Sequence, residues 1–503
     1  LLSQDRHAER LDFVDATADW DGGSLSVRRL DAPRAPGSCT VYRPDIGSLL
    51  PVYVADRYEG IEARTFADCS AAEIEAYLKA NVAAVAELRE RVSPELALAN
   101  HLVMGPAILA RGLSGEVPYA VKVHGSALEY TVKPCPERFL EPAVEGLRGA
   151  AAVLVGSRHT AESLWQALGD RDLPRRTRLG PPGVDVARFA PREPAEAGAR
   201  LRALAAQLRS AGTGRAGGTP PGADAAGSPA EEPASTFARD SGAAGEALAR
   251  VDPEHERIVA FVGKLIVSKG VDLLLACWPL VLQREPRARL VIVGFGAYRD
   301  ALEALSGALA AGDLVEVGRI ARAGRSLEST DTPAVPLRYL LSFLEALEGD
   351  ARAAYVKAAA ALGERVVFTG RLEHEELTEV LPACEAVVMP STFPEAFGMV
   401  AAEGAACAAL PVSAAHSGLA EVSTVLAAEI PAKAAAWLSF DLGERAVPDL
   451  ASCLTGWLGA PPPLREAARQ GLVRTVGERW SWEGVARGVI AAARGELTGL
   501  AEP

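Results

Sequence analysis

The sequence lacks a basic excess: 52 lysines and arginines face 65 aspartates and glutamates, a net charge of −13 over 503 residues. A surface of that sign repels phosphate backbones, which excludes nucleic-acid binding by bulk electrostatics and leaves only a local basic pocket for a small phosphorylated ligand. The sequence also lacks any run of the roughly 18 uncharged apolar residues that a spanning helix needs, and it does not open on a basic segment followed by an apolar one. The expectation is a soluble, cytoplasmic protein, membrane-peripheral at most. Paired cysteines are missing too: Cys39, Cys69, Cys135, Cys277, Cys384, Cys407 and Cys453 are scattered singly, without Cys-x2-Cys spacing. That is the pattern of reduced, mostly buried thiols in a cytosolic protein. No pair of histidines has ligand spacing such as His-Glu-x2-His, so no catalytic metal is expected. The first residue is Leu1, inside a helix-like run, and the front is read as N-terminally truncated.

What is present is a long chain, 49% hydrophobic and 23% charged, which at roughly 100–200 residues per domain gives two or three domains. Short β-branched runs that close on Gly, Ser or Pro alternate with Ala/Leu-rich helical stretches, the pattern of parallel sheets built from βα units. In the first half these runs are Leu96–Asn100, Tyr119–Gly125 and Ala152–Ser157; after Arg257 they sharpen into Ile258–Gly263, Leu290–Gly294, Val366–Gly370, Ala386–Pro390 and Leu410–Ser413. Between them, Ser210–Ser235 is mostly Ala, Gly, Pro, Ser, Thr and acidic residues, too poor in apolar surface to offset its ordering entropy. It reads as a flexible linker or inserted loop. A second irregular piece, Val317–Pro336, precedes a helical stretch Leu337–Leu362 and reads as an insertion between two strands. No internal repeat is evident.

Three motifs carry chemistry. In Met389-Pro390-Ser391-Thr392-Phe393-Pro394-Glu395-Ala396-Phe397-Gly398-Met399-Val400-Ala401-Ala402-Glu403, a strand ends, a loop presents Glu395, and a helix starts near Gly398 and carries Glu403. The amides from about Phe397 to Val400 are unpaired at such a helix start and suit a phosphate; the flanking carboxylates can accept hydrogen bonds from hydroxyls on either side of a diphosphate. Taken alone, two carboxylates are more often a solvated pair. In Phe261-Val262-Gly263-Lys264-Leu265-Ile266-Val267-Ser268-Lys269-Gly270, two lysines in a strand-to-helix loop can converge on a diphosphate, although surface lysines usually serve solubility. The run Leu290-Val291-Ile292-Val293-Gly294-Phe295-Gly296 starts like a dinucleotide fingerprint, but Arg299 stands where the third glycine belongs, so an NAD site is weakly supported.

In order, Gly-Lys-x4-Lys-Gly, Val-Ile-Val-Gly-x-Gly, Val-Val-Phe-Thr-Gly, Pro-Ser-x3-Glu-x7-Glu and Ser-Gly-Leu-x-Glu resemble the donor half of the family 4 retaining glycosyltransferases, over about Ile258 to Val422. The resemblance implies an α/β protein of the GT-B fold, two Rossmann-like domains facing an interdomain cleft. It implies an acceptor domain over residues 1–190, a linker or insertion over 191–256, a nucleotide-sugar domain over 257–478, and a tail over 479–503 whose Glu483–Ala493 helix returns to the first domain. Lys264 and Lys269 would clamp the donor diphosphate, with Gly263 and Gly294 at the strand ends. Lys264 stands where the family usually has arginine, which loses bidentate geometry and keeps the charge. Glu403 would accept from both ribose hydroxyls, Glu395 would contact the transferred sugar, and Phe397, Gly398 and Met399 would offer amides. Gly370 and Arg371 would border the nucleobase. In the first half, His124, in Tyr119-Ala120-Val121-Lys122-Val123-His124-Gly125, resembles the family's histidine beside the reacting sugar carbon.

Besides Lys264, the chain departs from the family twice more. Pro182 replaces the asparagine of an Asn-Gly-Val-Asp element, and the front has Asp21-Gly22-Gly23 in a polar turn where relatives have a strand and a glycine-rich loop. Asp19-Trp20-Asp21 and Asp170-Arg171-Asp172 match a metal-binding Asp-x-Asp, yet read as turn aspartates; His374 reads as a solvated helix start. The expected activity is metal- and cofactor-free transfer of a sugar from a nucleoside-diphosphate sugar, a UDP-sugar first, to a hydroxyl acceptor. A nucleotide-sugar epimerase on the same fold and a catalytically silent nucleotide-sugar-binding protein stay open as alternatives.

Overall fold

The protein is described from a computed structural model, over residues 1–11, 13–21, 23–30, 38–53, 61–213, 239–328 and 333–503. It divides into two compact units, one of residues 1–155, 161–180 and 488–503, the other of 156–160 and 181–487. Among the described residues the strands form four sheets.

In the first unit, β1 (Ala16–Asp21), β2 (Ser24–Arg29) and β3 (Thr40–Arg43) make a small sheet in the order β2-β1-β3, and β4 (Leu49–Val52) pairs with β5 (Glu62–Thr65). The main sheet is parallel: β6 (Ala97–Asn100), β7 (Tyr119–Val123), β8 (Ala152–Val155) and β9 (Thr177–Leu179), in that order. Strands β7 and β8 are buried at every position, as parallel strands covered on both faces must be, which is why they read as unbroken apolar runs. The C-terminal residues of this unit cover one face: Ala492 and Ala493 pack on Ala120, Ala152 and Leu154, and the Leu179 amide donates to the Ala501 carbonyl at 2.7 Å. The Asp-x-Asp at the front is not a turn. Asp19 lies in β1, where its carboxylate takes the Arg43 guanidinium at 2.6 and 2.9 Å; a strand thus precedes Gly23, but it pairs in the small sheet rather than in the main one. Gly22 lies outside the described residues.

In the second unit, β10 (Arg257–Val262), β11 (Ala288–Val293), β12 (Val366–Gly370), β13 (Ala386–Met389), β14 (Leu410–Ala414) and β15 (Ser439–Phe440) form one parallel sheet in the order β12-β11-β10-β13-β14-β15. The chain therefore steps outward from β10 to β12, then returns to the other side of β10 to build β13 to β15. That reversal sets the loops after β10 and β13 side by side at the carboxyl edge, their chain connections running to opposite sides, the switch point where open α/β sheets take ligands.

Three stretches differ from the sequence reading. Within 191–256 the structure has helices at Pro194–Thr213 and Ser241–Ala249; residues 214–238 lie outside the described residues. The second helix is rich in Ala and Gly because it packs closely on the first: a Cβ on Gly245 would meet the Arg209 amide nitrogen at 2.6 Å. The front of the piece Val317–Pro336, read as irregular, belongs to a helix, Leu314–Ala323. Asp313 caps it by accepting from the Glu316 amide at 2.9 Å, and Val317, Ile320 and Ala321 share the buried face that their i, i+3, i+4 spacing dictates. The stretch 337–362 is broken into helices Arg338–Ala346 and Gly349–Ala359, with Leu362–Arg365 following. Residues 329–332 lie outside the described residues.

Candidate functional site

Backbone hydrogen bonds lace the carboxyl ends of three strands in the second unit. The Gly263 amide donates to Val293 and the Gly294 amide to Gly370, both at 3.0 Å, and the Leu265 amide donates to Phe295 at 2.7 Å. Only glycine fits between these strand ends, since a Cβ on Gly294 would stand 2.0 Å from the Gly263 carbonyl oxygen.

A second seam joins the loop after β10 to the loop after β13. The Thr392 amide donates to the Ser268 carbonyl at 2.8 Å, and Gly270, at a left-handed φ of 66°, lets the Pro390 carbonyl approach to where a Cβ would be 2.0 Å away. Gly270→Ala combines a strained φ with a backbone clash, so it is expected to cost about 2–4 kcal/mol of stability, read as a lower denaturant midpoint.

This seam brings Lys269 and Glu395, 126 residues apart, into direct ion pairing. Glu395 is held on every side: Ser391 Oγ donates to its Oε1 at 2.6 Å, its own amide donates to Ser417 Oγ at 2.9 Å, and its carbonyl accepts from the Gly418 amide at 3.0 Å. His416 fixes the same loop, with Nε2 2.7 Å from the Ser391 carbonyl and Nδ1 3.0 Å from Ser417 Oγ. Neither serine was assigned a role from the sequence, although Ser391 lies in the Pro-Ser-x3-Glu-x7-Glu motif and Ser417 in the Ser-Gly-Leu-x-Glu motif, and His416 carried no signal.

After Glu395 the buried Phe397 ring packs edge-on against Trp480, centroids 5.3 Å apart, and fixes the approach to the helix Met399–Ala406. Gly398 is its N-cap, at φ 138°, with no side chain capping the first turn. The amides at that end are the positive pole of the helix. Glu403, on the second turn, is buried and takes a hydrogen bond from His374 Nε2 at 2.8 Å on Oε1. The hydrogen bond to Glu403 raises the His374 pKa. His374 is therefore not a merely solvated helix start: its ring is bound to a carboxylate 29 residues away.

Lys264 is exposed in the loop after β10. Arg371, just beyond Gly370, reaches Glu373 at 3.3 Å and lies 5.7 Å from the Phe295 ring centroid. Thus Gly263, Lys264, Lys269, Gly294, Gly370, Arg371, Glu395, Phe397, Gly398, Met399 and Glu403 all lie at the carboxyl ends of β10 to β13 or in the segments that follow them.

His124 belongs to the first unit, at the end of β7. Its Nε2 is 3.1 Å from Asn100 Oδ1, and its ring lies 4.9 Å from that of His101. Burial, helped by the nearby Lys122 charge, lowers its pKa to about 4, and burial does the same for His101. Both imidazoles are neutral at pH 7, able to donate on one nitrogen and accept on the other. Asp170, of the other Asp-x-Asp, accepts from the Asp172 amide at 2.9 Å, a local turn contact. Among the described residues no three His, Cys, Asp or Glu side chains are grouped to hold a metal ion, and no helix is long and apolar enough to cross a membrane.

Residues 256–349 and 348–426 match two family models, each described as glycosyl transferases group 1. The second unit thus contains a stretch similar to the group 1 glycosyl transferases. The D-inositol 3-phosphate glycosyltransferase of Segniliparus rotundus is 28% identical over 258 residues, covering 51% of this chain and 44% of that protein. An uncharacterized glycosyltransferase of Methanocaldococcus jannaschii is 26% identical over 169 residues, 34% of this chain and 30% of its own. The chain thus matches less than half the length of these curated relatives. Among solved structures, Anabaena HepE in complex with UDP superposes with a TM-score of 0.50 at 15% identity, over 86% of each chain. That likeness is one of fold: two Rossmann-like α/β units, the GT-B architecture. The group 1 segment runs from β10 into the helix after β14 and so contains Lys264, Lys269, Glu395 and Glu403.

Proposed function

We propose that the chain is a retaining, metal-independent glycosyltransferase that moves a sugar from a nucleoside-diphosphate sugar, a UDP-sugar first, to a hydroxyl acceptor. The observation that carries this reading is the Lys269–Glu395 ion pair at the switch point between β10 and β13. A cation for phosphate and a carboxylate for a sugar hydroxyl are held there by one loop seam. Support for the donor class comes from the group 1 match and from the UDP bound by HepE, which shares the fold.

In this reading the diphosphate lies against Lys264, Lys269 and the amide end of the helix Met399–Ala406, with Glu403 on the ribose, Glu395 on the transferred sugar, and Gly370 and Arg371 beside the base. The acceptor hydroxyl attacks the anomeric carbon from the leaving-group face. The new C–O bond forms as the bond to the diphosphate oxygen breaks, and the acceptor proton passes to that oxygen. The lysines and amides stabilise the charge that develops there, the kind of electrostatic assistance that dominates many enzymes. His124, neutral at pH 7 by virtue of its burial, is assigned to orienting the sugar.

A thermal-shift panel of UDP-, GDP- and ADP-sugars in EDTA tests the reading. Saturation at 100 times Kd stabilises a protein by about 2.7 kcal/mol, so at least one donor is expected to raise Tm by several degrees with no divalent ion present. A flat panel contradicts the donor assignment; a shift that appears only on adding a divalent ion contradicts metal independence.

A further inference from the structure

The Glu403 carboxylate is buried, its side chain 6% exposed. A carboxylate in that setting needs hydrogen-bond donors to hold its charge and fix its plane. Among the described residues the side chain that supplies one is His374, through Nε2 on Oε1 at 2.8 Å. The imidazole is itself held. It opens the helix His374–Val380, whose start is locked by a reciprocal box in which the Glu373 amide donates to Glu376 Oε2 at 2.8 Å. On its other side the ring packs on Phe189, centroids 4.9 Å apart, and Phe189 is buried and anchored by its amide to the Asp185 carbonyl at 2.8 Å. Arg188, from the same segment as Phe189, pairs with Glu375 at 3.1 Å and closes the arrangement. Two elements distant in sequence therefore converge to set one ring, 62% exposed, against one carboxylate oxygen.

We infer that His374 is a positioning residue for nucleotide binding: by occupying Oε1 of Glu403 it fixes the carboxylate plane and leaves Oε2 to take the ribose hydroxyls. This rests on the ribose reading of Glu403 given above. It assigns His374 no contact with the reacting atoms. A rigid aromatic donor orients an acceptor at a lower entropic cost than water or a flexible chain, so the benefit falls on donor affinity rather than on the chemical step.

The test is calorimetry with UDP, GDP and ADP, together with steady-state kinetics on the corresponding sugar, for the full chain and for His374→Ala, His374→Gln and Glu403→Ala. His374→Ala is expected to raise Kd and KM about tenfold with kcat within about twofold, since a loss of roughly 1.4 kcal/mol is tenfold in affinity. His374→Gln, whose amide nitrogen can stand in for Nε2, should recover most of that loss; should the alanine variant not fold, the glutamine variant binding tenfold worse than wild type would overturn the inference. Wild-type affinity in His374→Ala alongside lost affinity in Glu403→Ala overturns the role of His374 and leaves the donor site standing. Tighter binding in His374→Ala makes the imidazole a competitor of the ribose and overturns it equally. A wild-type protein that binds none of the three nucleotides overturns the donor reading itself.

Discussion

Lys269→Ala is expected to lower turnover with a nucleoside-diphosphate sugar by about two orders of magnitude or more, the usual consequence of removing one donor to a developing oxyanion. The ammonium has two tasks here. In the proposed mechanism it meets the charge on the departing phosphate, and in the free protein it pairs with Glu395, part-buried beside Ser391. Its loss removes the first interaction in the transition state and leaves the Glu395 carboxylate without its counter-ion, so both kcat and sugar placement suffer. Lys269→Arg keeps the charge but replaces a compact ammonium by a broad planar fork, and partial activity is expected. Near-normal turnover in Lys269→Ala, measured under saturating donor, contradicts the assignment.

Glu403→Ala is expected to act on a different quantity. Two hydrogen bonds to an ionised acceptor are worth about 1.5–3 kcal/mol each, so nucleotide affinity should fall at least about a hundredfold by calorimetry. Stability should change less than for removal of a fully enclosed ion pair, because the His374 side chain left behind is 62% exposed and can turn to water. An unchanged Kd for every nucleoside diphosphate counts against the ribose contact.

The second unit was legible because its central strands are sandwiched on both faces and must be apolar throughout. Val366–Gly370 matches β12 in full, and the neighbouring runs agree with β10, β11, β13 and β14 to within about two residues. Lys264, Lys269, Glu395 and Glu403 stood out because they follow such strands. What could not be read is contact across long separations: the approach of Pro390 to Gly270 and the reach of His374 to Glu403 depend on which strands are neighbours, and strand order is not written in any local pattern. The short strands β1 to β5 escaped notice because four to six residues of mixed polarity carry little period-two signal, and most positions of β2, β3 and β5 are at least partly exposed. The helix Ser241–Ala249 escaped for the opposite reason. The small residues that let it pack closely against Pro194–Thr213 are the same ones that make a linker.

A crystal structure of the protein grown with UDP decides the matter. The account predicts the diphosphate against Lys264, Lys269 and the amides that open the helix Met399–Ala406, the ribose hydroxyls on Glu403 and the base beside Gly370 and Arg371. Nucleotide bound away from the loops that follow β10 and β13, or with its ribose turned from Glu403, would contradict it.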